Sequence, residues 1–193
     1  MCRHFATMYR YDWYVAQECY DETASHDKVL KEFTRVLRYF DNTYVSKVCA
    51  EIALGVIKNG AYYAYLVDTG EGFMIQELPV NYCRSRFKVK GMPAVEFNMS
   101  FFDRAFPDAA YRTKILDLFP EEFKKGYHLY HRRKLEPQGS LDMEACWYLL
   151  DTNKSTKFSI NDDQEGTNDS PMFINAIPSL LDLDAAQDLD RRK

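Results

Sequence analysis

The hydrophobic period of the chain changes at Asn59-Gly60, and this change constrains the fold more than any other feature. Before it, apolar residues recur every three or four positions, which predicts helices over residues 26–40 and 44–58. After it, the period falls to two in residues 61–68 and 73–78. These segments flank the turn sequence TGEG, which predicts a β-hairpin. The chain is therefore predicted to be α+β, with N-terminal helices and a central antiparallel sheet.

Each of the two predicted helices carries its apolar positions on one face. Ser25 is the candidate N-cap of the first helix, and Asp41-Asn42 are expected to end it. The sequence NG at 59–60 is a typical C-terminal stop for the second. The stripes consist of Val29, Phe33, Val36, Leu37 and Phe40, and then of Val45, Val48, Ile52 and Val56.

The rest of the chain reads as shorter elements. Two more helices are expected, one with a stripe of Tyr111, Ile115 and Leu118 and the next with Phe123, Tyr127 and Tyr130. The other expected elements are strands over 83–89, 95–99, 145–150 and 156–160, a turn at 90–91, a loop over 136–142, a polar loop over 161–170 and a last helix capped by Ser179. Neither end carries a clear helix cap or stop, so we expect the chain to be a piece of a longer polypeptide or to finish in a partner.

The predicted strand over 83–89 raises the question of a reactive thiol, because Cys83 stands beside two arginines and nearby cations lower a thiol pKa. Strand parity favours another reading, in which Cys83, Phe87 and Val89 share an apolar face. Buried there, the thiol would behave as a small inert hydrophobe. A thiol enzyme that uses Cys83 stays as an alternative.

The opposite face of this strand presents Arg84, Arg86, Lys88 and Lys90. We interpret these cations as a solvated face that lies opposite Glu96 across the hairpin. Basic residues interleaved with aromatic ones also suit a phosphate backbone. Arg84, Arg86 and Lys88 are therefore the candidates for contact with DNA or with a neighbouring subunit.

Two other groups of residues resemble metal sites. His128 and His131 are three apart on a predicted helix and could bind a metal with Cys146, but flanking Lys and Arg disfavour a cation there. The loop Asn161–Asp169 has the oxygen side chains of a calcium loop, but Met172 stands where the bidentate glutamate belongs. We predict no catalytic residue, cofactor or metal, and keep a stand-alone module that binds a cation or basic partner through this loop as an alternative.

Composition excludes several classes of protein. The formal net charge is −4, from 29 acidic and 25 basic residues, so no global basic excess draws the chain to nucleic acid. The five cysteines form no CxxC pair, which disfavours a zinc ribbon or a disulfide framework and fits a reducing compartment. No apolar run approaches the roughly 20 residues of a membrane helix, so a soluble intracellular protein without membrane contact is expected.

The order of several longer segments carries a resemblance to a known family. The segments are VIKNGAYYAYLVD, FMIQELPVNYCRSRF, GMPAVEFNMSFFD, LFPEEFKKGYHLY and PMFINAIPSLLDLDAAQDLDRRK. Together they resemble the portal, or head–tail connector, proteins of tailed bacteriophages, particularly of the crAss-like group. The resemblance spans nearly the whole chain and depends on packing and turn patterns, not on one motif.

The resemblance implies a structural protein and not an enzyme. Family portals form rings, usually of about twelve subunits, at one capsid vertex, through which DNA is packaged and ejected. Residues 1–178 would be a wing-like domain and 179–193 the start of a stem-like helix, whereas no clip or crown is recognised. The implied partners are other copies of the chain, the major capsid protein, the terminase motor, tail or adaptor proteins and the phage double-stranded DNA. The implied location is the virion, after assembly in the host bacterial cytoplasm.

Overall fold

A computed structural model describes residues 26–70, 72–135, 143–160, 169–179 and 181–182. The described part is mixed α+β, as predicted, and consists of helices around small antiparallel sheets. The candidate cap Ser25, the loop over 136–142 and residues 161–168 of the acidic loop lie outside the described residues. The same holds for Cys2, Cys19 and most of the predicted last helix.

The chain begins with two helices, α1 (His26–Thr43) and α2 (Val45–Asn59). Both were predicted, but the expected break at Asp41-Asn42 is wrong, because α1 continues to Thr43. The helices separate at Tyr44, whose φ of 52° is left-handed. The Thr43 hydroxyl fixes this corner, because it donates to the Tyr39 carbonyl at 2.9 Å and accepts from the Phe73 amide at 3.1 Å.

The predicted hairpin follows, with β1 (Ala61–Asp68) paired to β2 (Phe73–Leu78). A later strand, β8 (Ser155–Ser159), pairs with the other side of β1, so the sheet order is β2-β1-β8. Gly60 ends α2 with a φ of 83°. A Cβ there would stand 2.6 Å from the backbone of Asp169 and of Ser170, so glycine is needed both for the turn and for this close approach.

The predicted strand over 83–89 is in fact two short strands, β3 (Cys83–Arg84) and β4 (Lys88–Val89). They separate because they join different ladders. β3 pairs with β6 (Glu96–Asn98), while β4 pairs with β5 (Met92–Pro93) across the predicted turn at Lys90-Gly91. The expected apolar face is therefore wrong at Phe87, which is 44% exposed. A further strand, β7 (Trp147–Leu149), extends the second sheet to the order β3-β6-β7.

Three helices lie between β6 and β7, namely α3 (Ser100–Ala105), α4 (Ala109–Leu118) and α5 (Glu121–Leu135). The stripe predicted for α4 is wrong, because Tyr111 and Leu118 are exposed, Leu118 by 80%, and Leu116 is buried instead. Arg112 lies one turn before Leu116 on the same face of α4, and its guanidinium donates to the Phe106 carbonyl at 2.9 Å. The stripe of α5 is confirmed, since Phe123, Tyr127 and Tyr130 are all buried.

An aromatic core joins the sheets to these helices. Phe97, Phe102 and Phe123 are fully buried, and the Phe97 and Phe123 rings meet edge to face with centroids 5.3 Å apart. Tyr65 connects the first sheet to this core, because its ring lies 5.1 Å from Phe123 and its hydroxyl donates to Glu122 at 2.7 Å. Such edge-to-face pairs stabilise a core by about 0.5–1.5 kcal/mol each beyond the area they bury.

The described C-terminal part begins beside Gly60. Asp169 pairs with Lys157 of β8 at 2.8 Å, and both side chains are largely buried. After a 3-10 turn over Ile174–Ala176, helical conformation begins at Ile177, so Ser179 does not cap it as predicted. No helix in the described ranges is both long and apolar enough to cross a bilayer.

Candidate functional site

The two arginines among the sequence candidates converge on one carboxylate. Arg84 Nε donates to Glu96 Oε2 at 2.8 Å, and Arg86 donates through Nε and Nη2 to both oxygens of Glu96 at 2.9 and 3.0 Å. Pairing of β3 with β6 places Arg84 directly across from Glu96, as strand parity predicted. Because β3 ends at Arg84, Arg86 reaches the carboxylate from outside the strand.

A second carboxylate and an indole complete this group, which we call the Glu96 cluster and define as Arg84, Arg86, Glu96, Glu144 and Trp147. Glu144 bonds to Arg84 through both of its oxygens and lies 3.2 Å from Arg86. The Arg84 guanidinium also lies 4.0 Å above the Trp147 ring, a cation–π contact. Sequence reasoning missed Glu144 and Trp147, because they join β3 from a segment 60 residues later.

The electrostatics of the Glu96 cluster favour fixed, fully ionised groups. Burial would raise the pKa of Glu96, but hydrogen bonds from Arg86 and Arg84 outweigh it and hold the pKa below its ordinary value. Burial would likewise lower the pKa of Arg84, and its bonds to Glu144 and Glu96 keep that pKa raised instead. The Arg84 side chain is only 18% exposed, so the predicted solvated face is wrong at this residue.

The remaining candidate, Lys88, lies on β4 and is exposed. The structure thus brings Arg84 and Arg86 together and places Lys88 on a different ladder. The guanidiniums of the two arginines are engaged by carboxylates of the same chain. A phosphate would have to compete with Glu96 and Glu144 for them, which favours a structural role for this pair.

A second charged group, the Asp103 cluster, consists of Asp103, Arg112, Tyr127, His131 and Lys134. Tyr127 donates to Asp103 Oδ1 at 2.7 Å, and His131 Nε2 lies 2.7 Å from the same hydroxyl. Arg112 and Lys134 each approach the Asp103 carboxylate at 3.5 Å. No sequence motif indicated this group, because its members come from three helices.

The Asp103 cluster holds an ionised carboxylate beside a neutral phenol. Burial would raise the pKa of Asp103, but the hydrogen bond from Tyr127 and the charge of His131 keep the pKa lowered. Burial and the bond to Asp103 raise the pKa of Tyr127. An ionised carboxylate and a neutral phenol at pH 7 form a stable bridge, and this bridge ties α3 to α5.

Cys83 lies in the core and not in a cleft. Its side chain is buried, and burial raises the pKa of the thiol. Its neighbours Arg84 and Arg86 are directed to Glu96, so they do not stabilise a thiolate. This geometry favours an inert thiol, because the thiolate is the nucleophilic form.

The residues that resembled metal sites are engaged elsewhere or lie apart. His131 belongs to the Asp103 cluster, whereas His128 is exposed on α5. Across the described ranges, no three metal-ligating side chains come together. Asp169, the ninth position of the calcium-like loop, is paired with Lys157, so its carboxylate is already neutralised by the chain's own cation.

One open surface with an apolar component lies along α1. A groove of about 700 Å³ is lined by Leu30, Lys31, Thr34, Arg35 and Arg38 and reaches Gly70 of the hairpin turn. We call it the α1 groove. Leu30 is 53% exposed, and Phe33, one turn further on, is also exposed. The C-terminal end of the helix packs through Tyr39 and Phe40 against Phe73.

A second apolar surface lies on the described C-terminal part. Met172, Ile174, Ile177 and Leu181 are all exposed, and Leu181 reaches 65%. Leu181 opens a run, residues 181–190, that alternates leucine and alanine with four aspartates and has no basic residue. Large exposed apolar side chains gathered on one segment are typical of surfaces that another protein covers.

The chain was compared with protein family models, with curated proteins and with solved structures, and none of the three comparisons gives a match. The geometry of the molecule therefore has to carry the functional argument.

Proposed function

We propose that this chain is a structural subunit of a ring-shaped portal, the channel at a capsid vertex through which phage DNA is packaged and ejected. The observation that carries the proposal is the pair of exposed apolar surfaces, one along α1 and one on the C-terminal part. A subunit that makes contacts on two different sides can form a closed ring.

The charged groups support a structural role. The strongest candidates for chemistry, the Glu96 and Asp103 clusters, are built from ion pairs that link elements distant in the chain. The mixed α+β architecture fits the wing of a portal subunit, and the helical residues from Ile177 fit the start of a stem. The succession of sequence segments that resembles crAss-like portal proteins also supports the proposal.

The proposed role requires no reaction and no cofactor. The ring would surround double-stranded DNA and meet the major capsid protein, the terminase motor and tail or adaptor proteins. A net charge of −4 suits a channel in which DNA must slide, because a strongly basic lining would retain the phosphate backbone. Lys88, exposed on β4, remains the sequence candidate that could touch DNA or a neighbouring copy without breaking an arginine pair of the Glu96 cluster.

Particle mass and shape test this proposal directly. Light scattering and negative-stain imaging of the purified chain should show closed rings of about twelve copies. Leu30→Glu should reduce the particle mass, because it charges the apolar part of the α1 groove. Met92→Glu is the matched control, since Met92 is 49% exposed but lies on β5. A wild-type chain that stays monomeric at tens of micromolar would contradict the proposal.

A further inference from the structure

The two exposed surfaces begin at opposite ends of one strand. The α1 groove reaches Gly70, just after the last residue of β1. The C-terminal part starts at Asp169, against Gly60 and just before the first residue of β1. Since β1 has eight residues, these points are about 26 Å apart at the usual rise of a strand. The starting points of the two surfaces are therefore well separated on the molecule.

The charges of the two surfaces are complementary. The α1 groove carries Lys31, Arg35 and Arg38, and within the described ranges Lys31 and Arg38 have no carboxylate partner. Arg35 makes only an exposed pair with Glu32 at 3.0 Å. The C-terminal run has Asp182, Asp184, Asp188 and Asp190. The α1 groove thus joins apolar side chains to positive charges, and residues 181–190 join leucines to negative charges ahead of the basic residues Arg191, Arg192 and Lys193.

This complementarity decides between two kinds of contact. In a contact that pairs the α1 groove with the same groove of another copy, six cations would face one another. Like charges brought together across an interface cost several kcal/mol. In a head-to-tail contact the groove meets the acidic run, so leucines cover Leu30 and Phe33 while aspartates meet the cations. A head-to-tail pair also leaves one groove and one acidic segment free to bind further copies, which is the condition for a ring.

We propose that the α1 groove of one copy binds the acidic C-terminal segment, residues 181–190, of the next copy. This inference rests on the proposed ring function and assigns the contact that closes the ring. The occupant is a second copy of this chain, recognised by alternating leucine and aspartate side chains.

A charge-swap experiment tests the assignment. One variant reverses the groove with Lys31→Glu, Arg35→Glu and Arg38→Glu, and the other reverses the segment with Asp182→Lys, Asp184→Lys and Asp188→Lys. Each variant alone should need at least about tenfold more protein than wild type for half-assembly, since like charges then face one another. An equimolar mixture should assemble again, because each groove then finds a segment of opposite charge on the other variant.

Three controls make the result specific. Circular dichroism of each variant checks that α1 is retained, and recovery in the mixture shows that both variants are folded. A second triple reversal, Lys90→Glu, Lys114→Glu and Lys154→Glu, lowers the net charge by the same amount as the groove reversal. It does so at exposed positions outside the groove lining and the acidic segment, and it should leave assembly near the wild-type level. The reversals combined in one chain should assemble as wild type does.

The possible failures separate the two proposals. Wild-type rings that persist in either single variant, or variants that do not recover on mixing, would overturn the assigned contact and leave the portal function standing. Equal loss in the control triple would overturn it too, because net charge alone would explain the effect. A wild-type chain that is monomeric under all conditions would overturn the ring function itself and the assignment with it.

Discussion

The Glu96 carboxylate joins two arginine side chains. Its two oxygens accept hydrogen bonds from both Arg84 and Arg86, and its side chain is 11% exposed. Glu96→Gln keeps the shape but removes the charge, so it should lower the free energy of unfolding by about 1–3 kcal/mol. Urea denaturation at pH 7 measures this. Glu144→Gln, at a carboxylate that is half exposed, should lower the stability less than Glu96→Gln does.

The same residue gives a prediction for acid stability. The pKa of Glu96 in the folded chain lies below its ordinary value of 4.5, so the unfolded chain binds a proton at this residue more readily. The stability that Glu96 contributes is therefore complete above pH 4.5 and is lost as the pH falls through the folded pKa. Urea midpoints of wild type and Glu96→Gln should therefore draw together as the pH is lowered from 5 through 4.5 and below. A constant difference over this range would show that the carboxylate does not titrate as described.

Cys83 gives a prediction about reactivity. Iodoacetamide at pH 7 should modify Cys83 at least about tenfold more slowly than Cys49 and Cys146, which are partly exposed, because its thiol is buried and its pKa is raised. Mass spectrometry of peptides after timed labelling measures each rate, and labelling in urea supplies the unfolded reference. If Cys83 were instead the fastest of the three, the thiol-enzyme alternative would gain direct support.

At the scale of elements, Gly126 lets α5 approach the second sheet. A Cβ at this position would lie 2.4 Å from Met99 Cε and 2.9 Å from Tyr148 Cγ, so alanine forces one of these side chains to move. Alanine favours a helix over glycine by about 1 kcal/mol. Overpacking costs typically 1–3 kcal/mol, so Gly126→Ala should lower stability by roughly 1 kcal/mol net. Gly126→Val should lower it further, and thermal unfolding of both variants would measure the trend. A stabilised alanine variant would mean that α5 packs less closely.

Periodicity predicted the hairpin and the stripe of α5, and both are confirmed. The stripe of α5 faces one core, whereas both faces of β1 are buried, with Tyr63 and Tyr65 in the main core and Tyr62 and Ala64 beside Val56 of α2. The stripe predicted for α4 is wrong. The face that is buried instead carries Arg112, which bonds to a carbonyl, and an apolar pattern gives no signal for such a contact. Helix α3 was not predicted, because six residues are too few to distinguish a helical period from the period of a strand.

The only part of the candidate site that could be predicted is the part that depends on the alternation of side chains along a strand. Alternation along neighbouring strands placed Arg84 opposite Glu96, and this pairing is present. Glu144, Trp147 and the members of the Asp103 cluster meet through long-range packing of segments that sequence spacing does not relate. A single sequence contains no local signal for such contacts, since the distance between the segments is set by the core between them.

At the scale of the whole molecule, two electrostatic effects on assembly oppose each other. Each copy carries a net charge of −4, so distant copies repel one another, and added salt weakens that repulsion. The proposed contact between the α1 groove and the acidic segment is a local attraction, and added salt weakens it as well. The direction in which salt changes assembly therefore shows which effect dominates.

We expect the local attraction to dominate, so that assembly weakens as salt rises. The Debye length falls from about 10 Å at 0.1 M to about 3 Å at 1 M, which screens partly exposed charge pairs. The protein concentration at half-assembly, measured by light scattering in sodium chloride, should therefore rise several-fold over this range. A variant with Lys31→Gln, Arg35→Gln and Arg38→Gln should assemble weakly and lose most of this dependence, because only apolar contact remains. If salt instead strengthened wild-type assembly, the subunits would be held by apolar surface, and the charges of the groove would not select the partner.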